Sequence, residues 1–310
     1  MSFLDRFNKM PMRHGLPAVT AFSDADLQVT RSGQVSVDYP ESQTLLQLIA
    51  AYSAEASHSS RKTLAELYRS EQDPDIASWT VSRYAGLSAP RELRWEAQGS
   101  STAGAVHIDR YVLYHSTYLE MPLLHIHNDG AHPKGAILWF SLDGKASEKN
   151  WPRISRLLSD GYEVFSFDLR GLGETRMNYR TDSPDAPSLP QDNFDEAYVN
   201  PLGSVLADYV YNSLLTGRPY FLQMMDDIKI AELFVRNRDS HLLQQPLTLA
   251  ATGEAYSLAI RFREVDPQVT ILTPESPSIL NWSRLATQGQ EQWPIAFLMP
   301  SGATIREKSE

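Results

Sequence analysis

Two histidines, His125 and His127, have the residue type and spacing that could begin a metal site. Side chains alternate between the two faces of a strand, so both imidazoles share one face of an apolar strand predicted at 123–126. His132 lies nearby in the following turn. No further ligand follows at a spacing typical of zinc sites. We therefore favour ordinary surface histidines and expect no metal.

Carboxylates and glycines elsewhere offer two other kinds of chemistry. Asp226 and Asp227 are adjacent on a predicted helix and diverge by about 100°, which indicates a solvated face rather than a catalytic pair. Gly171 and Gly173 lack the third glycine of a dinucleotide-binding fingerprint, and no Gly-x-x-x-x-Gly-Lys-Ser/Thr phosphate loop is present. The sequence therefore predicts no cofactor.

The composition excludes several classes of protein. With 310 residues and 42% hydrophobic content, the chain can bury a real core, which argues against disorder. It has no cysteine, so disulfides, thiolate metal sites and a cysteine nucleophile are excluded. The net charge of −10 makes nucleic acid a poor partner. No run approaches the roughly 18 apolar residues of a membrane helix and no signal peptide is evident, so we expect a cytoplasmic protein without membrane contact.

Two regions, 1–95 and 96–310, differ in hydrophobic pattern. The first predicts a helical N-terminal extension, because its apolar residues recur at spacings of three and four. These residues are Leu45, Leu46, Ile49 and Tyr52, followed by Leu64, Leu67 and Tyr68. In the second region, Asn128-Asp129-Gly130 is a turn signal between apolar runs 123–126 and 136–140, which predicts an antiparallel hairpin.

Beyond residue 140 strands and helices alternate, which predicts an α/β fold with a mostly parallel, doubly wound sheet. Residues 178–219 form the least regular stretch, either a functional excursion over the carboxyl edge of the sheet or a plain surface loop. The helix at 220–238 carries one apolar stripe, formed by Phe221, Met224, Ile228, Ala231 and Val235. The other predicted helices span 151–158 and 255–265, and the predicted strands span 162–167, 247–251 and 269–272, with a candidate last strand at 295–299.

One turn carries a family resemblance. Asp168-Leu169-Arg170-Gly171-Leu172-Gly173 directly follows an aromatic strand and resembles the Asp-x-Arg-Gly-x-Gly turn after the fourth strand of α/β-hydrolases. With the strand and turn at 136–144 and the helix at 220–238, the chain resembles the acetyl-xylan-esterase and dienelactone-hydrolase-like branch over roughly residues 28–300. A generic strand-to-helix turn of another α/β protein is the alternative. The resemblance implies acyl transfer from a small ester or acylated carbohydrate to a serine, without metal or organic cofactor.

The same resemblance assigns the nucleophile to a Gly-x-Ser-x-Gly turn between a strand and a helix. Gly253-Glu254-Ala255-Tyr256-Ser257 lies there, so Ala255 occupies the expected serine position. A methyl group cannot attack an acyl carbon. Ser257 is a substitute nucleophile only if the site shifts by two residues, which turns the side chain about 200° around the helix.

The resemblance places the oxyanion hole near the backbone of Leu142, Gly144 and Tyr256. Asp143 would bring negative charge close to a developing oxyanion, so we expect its carboxylate to face solvent instead.

Histidine order provides a further test of the family chemistry. The family's base follows the nucleophile along the chain, yet all eight histidines precede Ala255. We expect the C-terminal strands that deliver acid and base to be missing from the 310 − 255 = 55 residues that follow. An unpaired sheet edge would then favour self-association or a covering partner.

These observations predict an α/β-hydrolase-fold relative of carboxylic-ester hydrolases without a working triad. One alternative is a non-catalytic binding or partner protein that uses the hydrolase pocket, with Trp139, Tyr179 or Tyr256 stacking on a ligand. The other is a truncated hydrolase without a present role.

Overall fold

The chain divides into two compact units, Met1–Leu48 and Ile49–Glu310. The computed structural model describes residues 21–44, 47–48, 50–52, 54–55, 62–70, 93–114, 120–130, 133–176, 205–238, 247–288, 293–299, 302 and 305. The predicted boundary at residues 95 and 96 stays a prediction, because residues 71–92, which precede it, are outside the described part.

The described part of the first unit includes the short helices α1 (Asp24–Leu27) and α2 (Val35–Asp38). Ser23 caps α1: its hydroxyl accepts a hydrogen bond from the Asp26 N–H, and the Asp26 carboxylate accepts one from the Ser23 N–H. Three residues of the first predicted helix, Leu45, Leu46 and Ile49, lie outside the described residues.

The second unit alternates strands and helices after an antiparallel start. Its strands are β1 (Arg94–Ala103), β2 (Val106–Tyr114), β3 (Glu120–Asn128), β4 (Ala136–Phe140), β5 (Glu163–Phe167), β6 (Thr248–Ala251) and β7 (Thr270–Leu272). Its helices are α3 (Leu64–Ser70), α4 (Trp151–Ser159), α5 (Val205–Leu215), α6 (Tyr220–Arg238), α7 (Ala255–Val265) and α8 (Trp282–Gln288). Three short 3-10 helices span Glu148–Asn150, Gly173–Thr175 and Ile295–Phe297.

The strands form one mixed sheet of seven, in the order β1-β2-β3-β5-β4-β6-β7. Strands β5, β4, β6 and β7 are parallel neighbours, whereas β1, β2, β3 and β5 pair antiparallel. The predicted β3–β4 hairpin is wrong, because β5 lies between these two strands and pairs with both. The turn signal at 128–130 therefore begins a crossover.

Helices cover both faces of the sheet, as the alternation predicts. The larger core lies on one face and includes buried residues of α3, α5, α6 and α7. On the other face, Ile154, Leu157 and Leu158 of α4 pack with Trp139 and Val164 from the sheet. Burial of β4 and β5 at every position follows from this double cover.

The long helix α6 has the predicted bounds and the predicted apolar stripe is buried, but burial extends far beyond that stripe. Every residue from Tyr220 to Arg236 except Gln223 is buried, including five charged side chains. Those charges are paired: for example, Lys229 Nζ lies 2.8 Å from the Glu232 carboxylate and 2.6 Å from that of Asp266. Ion pairing lets a helix with many charges lie inside the core.

Other sequence-based bounds agree with the structure, with two exceptions. Helix α5 lies inside the stretch 178–219 that was expected to be irregular, while residues 177–204 are not described. The candidate last strand at 295–299 is instead a 3-10 helix, Ile295–Phe297, whose Phe297 packs on Phe221 of α6. Among the described helices, none combines the length and apolarity required to cross a membrane.

Candidate functional site

Three loops meet at the carboxyl edge of the parallel strands. They follow β4 (141–145), β5 (168–175) and β6 (252–254), where open α/β sheets gather their functional residues. The Lys145 N–H donates to Asp168 Oδ1 at 2.6 Å, which joins the first loop to the second. Thr252 Oγ1 lies 3.4 Å from Ser141 Oγ, which joins the third loop to the first. This edge is therefore the candidate site.

Asp168 is the central acceptor of the second loop, and its side chain is completely buried. Besides the Lys145 amide, it accepts from Lys145 Nζ at 2.7 Å and from the Glu174 N–H at 2.9 Å. Lys145 Nζ also lies 2.8 Å from a Glu174 carboxylate oxygen. With these donors on its two oxygens, the buried carboxylate fixes the positions of both loops.

Gly173 has no side chain because the Asp168 carboxylate occupies that space. A Cβ on Gly173 would overlap the carboxylate oxygens, and the backbone has φ 56°, which side chains rarely adopt. The glycine of the motif therefore serves close packing in this chain.

Arg170 ties the same turn to α6. Its guanidinium donates to both carboxylate oxygens of Asp227, at 2.6–3.1 Å, and to Gln223 Oε1 at 2.7 Å. The Arg170 N–H donates to Asp227 as well, at 2.9 Å. Burial opposes the charge, yet the neighbouring Asp227 carboxylate raises the pKa of Arg170 above its ordinary value.

The expectation that Asp226 and Asp227 form a solvated face is wrong. Both are almost completely buried and face different partners, since adjacent helix positions diverge. Asp226 accepts from Arg218 and from the Tyr68 hydroxyl, the latter at 2.8 Å. Burial raises the pKa of Asp226, although Arg218 opposes this shift. Asp226 thus links α6 to Tyr68 of α3, and Asp227 links α6 to the turn after β5.

The turn between β6 and α7 has a different character. Gly253 is exposed and adopts φ 55°, and a Cβ there would meet no atom within 4 Å. Glu254 follows as an exposed N-cap residue. Ala255 is the first residue of α7 and is fully buried. The left-handed position is thus two residues before Ala255.

Ser257 lies on the buried side of α7, with 1% of its surface exposed. Its hydroxyl donates to the Ser278 carbonyl at 2.6 Å and accepts from the Leu280 N–H at 2.8 Å. This hydroxyl connects α7 to the chain that follows β7.

The backbone N–H groups expected at the oxyanion hole differ in whether they already have an acceptor. The Tyr256 N–H donates to the Gly253 carbonyl at 3.2 Å, whereas no acceptor for the Leu142 N–H is found among the described residues. The Glu254 N–H likewise has no acceptor in the described part of the chain. Gly144 is buried with φ 92°, in contact distance of Gly173. Asp143 is exposed, as expected, and pairs with Lys149 at 2.8 Å.

Two of the three aromatic residues proposed to stack on a ligand are buried. Trp139 and Tyr256 are 3% and 6% exposed, and Tyr179 lies outside the described residues. Trp139 instead lines a cavity of about 320 Å³ between α4 and strands β6 and β7. Arg153 and Arg156 of α4 also line it.

His125 departs from the expectation of surface histidines, because it is 6% exposed. Its Nε2 forms a 2.7 Å hydrogen bond with Glu163 at the start of β5. Sequence reasoning missed Asp109, which β2–β3 pairing places directly opposite His125. A search across predicted hairpin partners would have found it.

No family model and no curated protein match this chain by sequence. Solved structures do resemble it. A Bacteroides fragilis protein assigned as an acetyl xylan esterase matches with TM-score 0.55 and 11% identity, over 92% of this chain and 75% of its own length. Acetyl xylan esterase 1 from Thermoanaerobacterium matches at TM-score 0.37 and 10% identity, over 74% and 62% respectively.

Dienelactone hydrolase from Anabaena variabilis matches with TM-score 0.30 and 11% identity, over 58% of this chain and 61% of its own length. At such identities the likeness shows the fold alone, and it rests on the Bacteroides fragilis structure, whose TM-score is 0.55.

Proposed function

We propose that this chain, which has the α/β-hydrolase fold, keeps the scaffold of carboxylic-ester hydrolases without their nucleophile. The observation that carries the proposal is the residue at the β6–α7 turn. In hydrolases of this fold the nucleophile stands on a sharp strand-to-helix turn, where its hydroxyl is exposed above the sheet. Here that turn has its left-handed residue at Gly253, which has no side chain.

The geometry favours Gly253 over Ala255 as the counterpart of the nucleophile. Gly253 combines exposure with a positive φ, whereas Ala255 is buried inside the first turn of α7. Neither residue has a hydroxyl, so the proposed loss of acyl transfer to serine holds under both assignments.

Ser257 does not replace the nucleophile in this proposal. An acyl-transfer serine must reach the substrate and a general base, but this hydroxyl is buried and bonded to two backbone groups. Removing it from those partners would leave both backbone groups without a hydrogen bond in the core.

A backbone cradle remains at this edge. In the fold, the oxyanion hole uses the N–H after the nucleophile and one from the loop after an earlier strand. With Gly253 at the nucleophile position, these donors are Glu254 and Leu142, and neither N–H has an acceptor among the described residues. We therefore expect these backbone groups to bind a ligand at this edge without forming a covalent bond to it.

Ester turnover tests the proposal directly. Purified protein is expected to hydrolyse p-nitrophenyl acetate no faster than Ser257→Ala, and a fluorophosphonate serine probe should not label it. Turnover that disappears in Ser257→Ala, or labelling that maps to Ser257, would contradict the proposal.

The nucleophile position can be mapped independently, because the chain has no cysteine. A Gly253→Cys variant should react with a thiol-specific disulfide reagent in the folded protein. Matched Ala255→Cys and Ser257→Cys variants should react only after unfolding, because both positions are buried. Equal reaction at residues 253 and 255 would contradict the assignment to Gly253.

A second candidate function is non-catalytic ligand binding in the cavity beside α4. Trp139, Leu157 and Ala250 supply apolar walls. Two arginines, Arg153 and Arg156, line the cavity together with two carboxylates, Asp160 and Glu275. Neither arginine has an ion-pair partner among the described residues. Such a lining suits a ligand with an apolar body, and we propose that an acidic group on it pairs with an arginine that no carboxylate of the described chain holds.

Calorimetric titration with short-chain carboxylates and with acetylated xylo-oligosaccharides tests this second function. Saturable binding of a carboxylate should weaken in Arg156→Gln and be unchanged in the control Arg31→Gln, which lies in the first unit. Absence of saturable carboxylate binding would exclude the cavity as such a site.

A further inference from the structure

Three potential metal ligands lie together on the antiparallel part of the sheet. Asp109 on β2 is directly opposite His125 on β3, and the period of two brings His127 to the same face. His127 Nε2 lies 3.4 Å from Asp109 Oδ2, and His125 Nδ1 lies 3.6 Å from the same oxygen. One ligand atom from each residue falls within 4.8 Å of the others.

Two of the three separations match a tetrahedral metal site. Zinc binds histidine nitrogen and carboxylate oxygen at about 2.0–2.2 Å, so neighbouring ligand atoms in a tetrahedron are about 3.3–3.6 Å apart. The two measured separations to Asp109 Oδ2 lie within that range. Two imidazoles and one carboxylate are also a ligand set that zinc commonly uses.

Glu163 holds His125 in the orientation that a metal ligand requires. Its Oε2 lies 2.7 Å from His125 Nε2, so that nitrogen donates and Nδ1 keeps its lone pair, which accepts from Arg238 Nη1. A carboxylate behind a ligating imidazole is the usual way of fixing tautomer and ring orientation. Burial lowers the pKa of His125, although Glu163 opposes this shift, and a neutral imidazole is the ligand form.

A cation already stands in this cluster. Arg238 Nη1 lies 2.7 Å from His125 Nδ1, and Arg238 Nη2 lies 3.6 Å from Asp109 Oδ2. The guanidinium also stacks on Tyr111, 4.9 Å from the ring centroid. Arg238 is the last residue of α6 and is partly exposed, so its long side chain can turn outward without disturbing the helix.

We propose that Asp109, His125 and His127 bind a divalent transition metal ion, with zinc as the best match, in exchange for the Arg238 guanidinium. Water completes the tetrahedron. The site is separate from the candidate edge, because Glu163 begins β5 whereas the loop at 168–175 follows the end of β5. The bound ion links β2 to β3. This inference does not depend on the function proposed above.

Metal titration of the full chain tests the proposal. Protein dialysed against a chelator is titrated with Zn²⁺ by calorimetry and with Co²⁺ by visible absorption. The Co²⁺ absorption reports whether the bound ion has the low-symmetry coordination of a tetrahedral site. We expect one saturable ion per chain. His127→Gln and Asp109→Asn should abolish or strongly weaken binding, and Glu163→Gln should weaken it roughly 10- to 100-fold through lost orientation.

Two further variants distinguish a built site from general attraction of metal to histidine. His107→Gln removes an imidazole stacked 5.5 Å from His127 but outside the ligand set, so the affinity should not change. Arg238→Gln removes the competing cation, so the affinity should rise. Failure of wild type to bind saturably, equal losses in His107→Gln and His127→Gln, or unchanged affinity in Arg238→Gln would each overturn the proposal.

Discussion

The turn after β5 and the turn after β6 lie at the same sheet edge but are built on opposite principles. The first is anchored to the core: Asp168 holds two loops together and Arg170 binds α6. The second is open, with Gly253 exposed and unobstructed. The comparison teaches that buried charges hold the scaffold of this edge, whereas the left-handed position of the turn after β6, Gly253, carries no side chain at all.

Asp168→Asn should break the first turn most severely. The substitution leaves the buried Lys145 ammonium without its main counter-charge, which costs about 4 kcal/mol of the free energy of unfolding. Urea denaturation followed by tryptophan fluorescence measures the loss. Glu174→Gln is the matched control, because Glu174 contacts the same ammonium but is exposed, and its loss should stay below about 1 kcal/mol.

Gly173→Ala should destabilise the same turn by about 3 kcal/mol, because a Cβ meets the Asp168 carboxylate in a left-handed backbone. The measurement is again the urea midpoint at constant slope. A variant as stable as wild type would show that the carboxylate can move aside, and the contrast between the two turns would fail.

Gly253→Ala sharpens the comparison from the other side. It introduces the same methyl at a similar φ, but into open space, so the cost is about 1 kcal/mol from backbone strain alone. The difference in free energy of unfolding between the two glycine variants isolates the packing of Gly173. Equal losses would mean that backbone strain, rather than the carboxylate, selects both glycines.

Asp143→Asn should have the smallest effect. Among the described residues it forms an ion pair with Lys149, and both side chains are exposed, so the loss should be the smallest of these four substitutions. Thermal unfolding in low and in moderate salt should differ little between the variant and wild type. A larger loss would indicate that the carboxylate supports the neighbouring loop.

Local patterns predicted much of this fold. The bounds of α6 and α7 and the position of β5 follow from the spacing of their apolar residues, although α6 and β5 are buried on all sides. The β3–β4 hairpin failed because a turn signal reports only that the chain bends and carries no information on which strand later inserts between its neighbours.

The site was harder to predict, because its contacts join residues far apart in sequence. Asp227 looked solvated on a helix, yet Arg170, which comes 57 residues earlier, neutralises it inside the core. Asp109 reaches His125 only through cross-strand register, which no spacing along the chain reveals. The proposed assignment of the nucleophile position to Gly253 rather than Ala255 depends on the backbone angle φ of Gly253, which the sequence does not give.

Because β5 pairs with β3 but follows it along the chain, one edge of β3 stays unpaired for part of the time that the chain is being synthesised. The β2–β3 pair is complete once residue 128 has left the ribosome, but its antiparallel neighbour ends at residue 167, which is 167 − 128 = 39 residues later. At roughly 5–20 residues per second, the outer edge of β3 waits about 2–8 s for its partner. Pro122 on β3 offers no N–H to a competing chain during that delay, which limits pairing with other nascent chains.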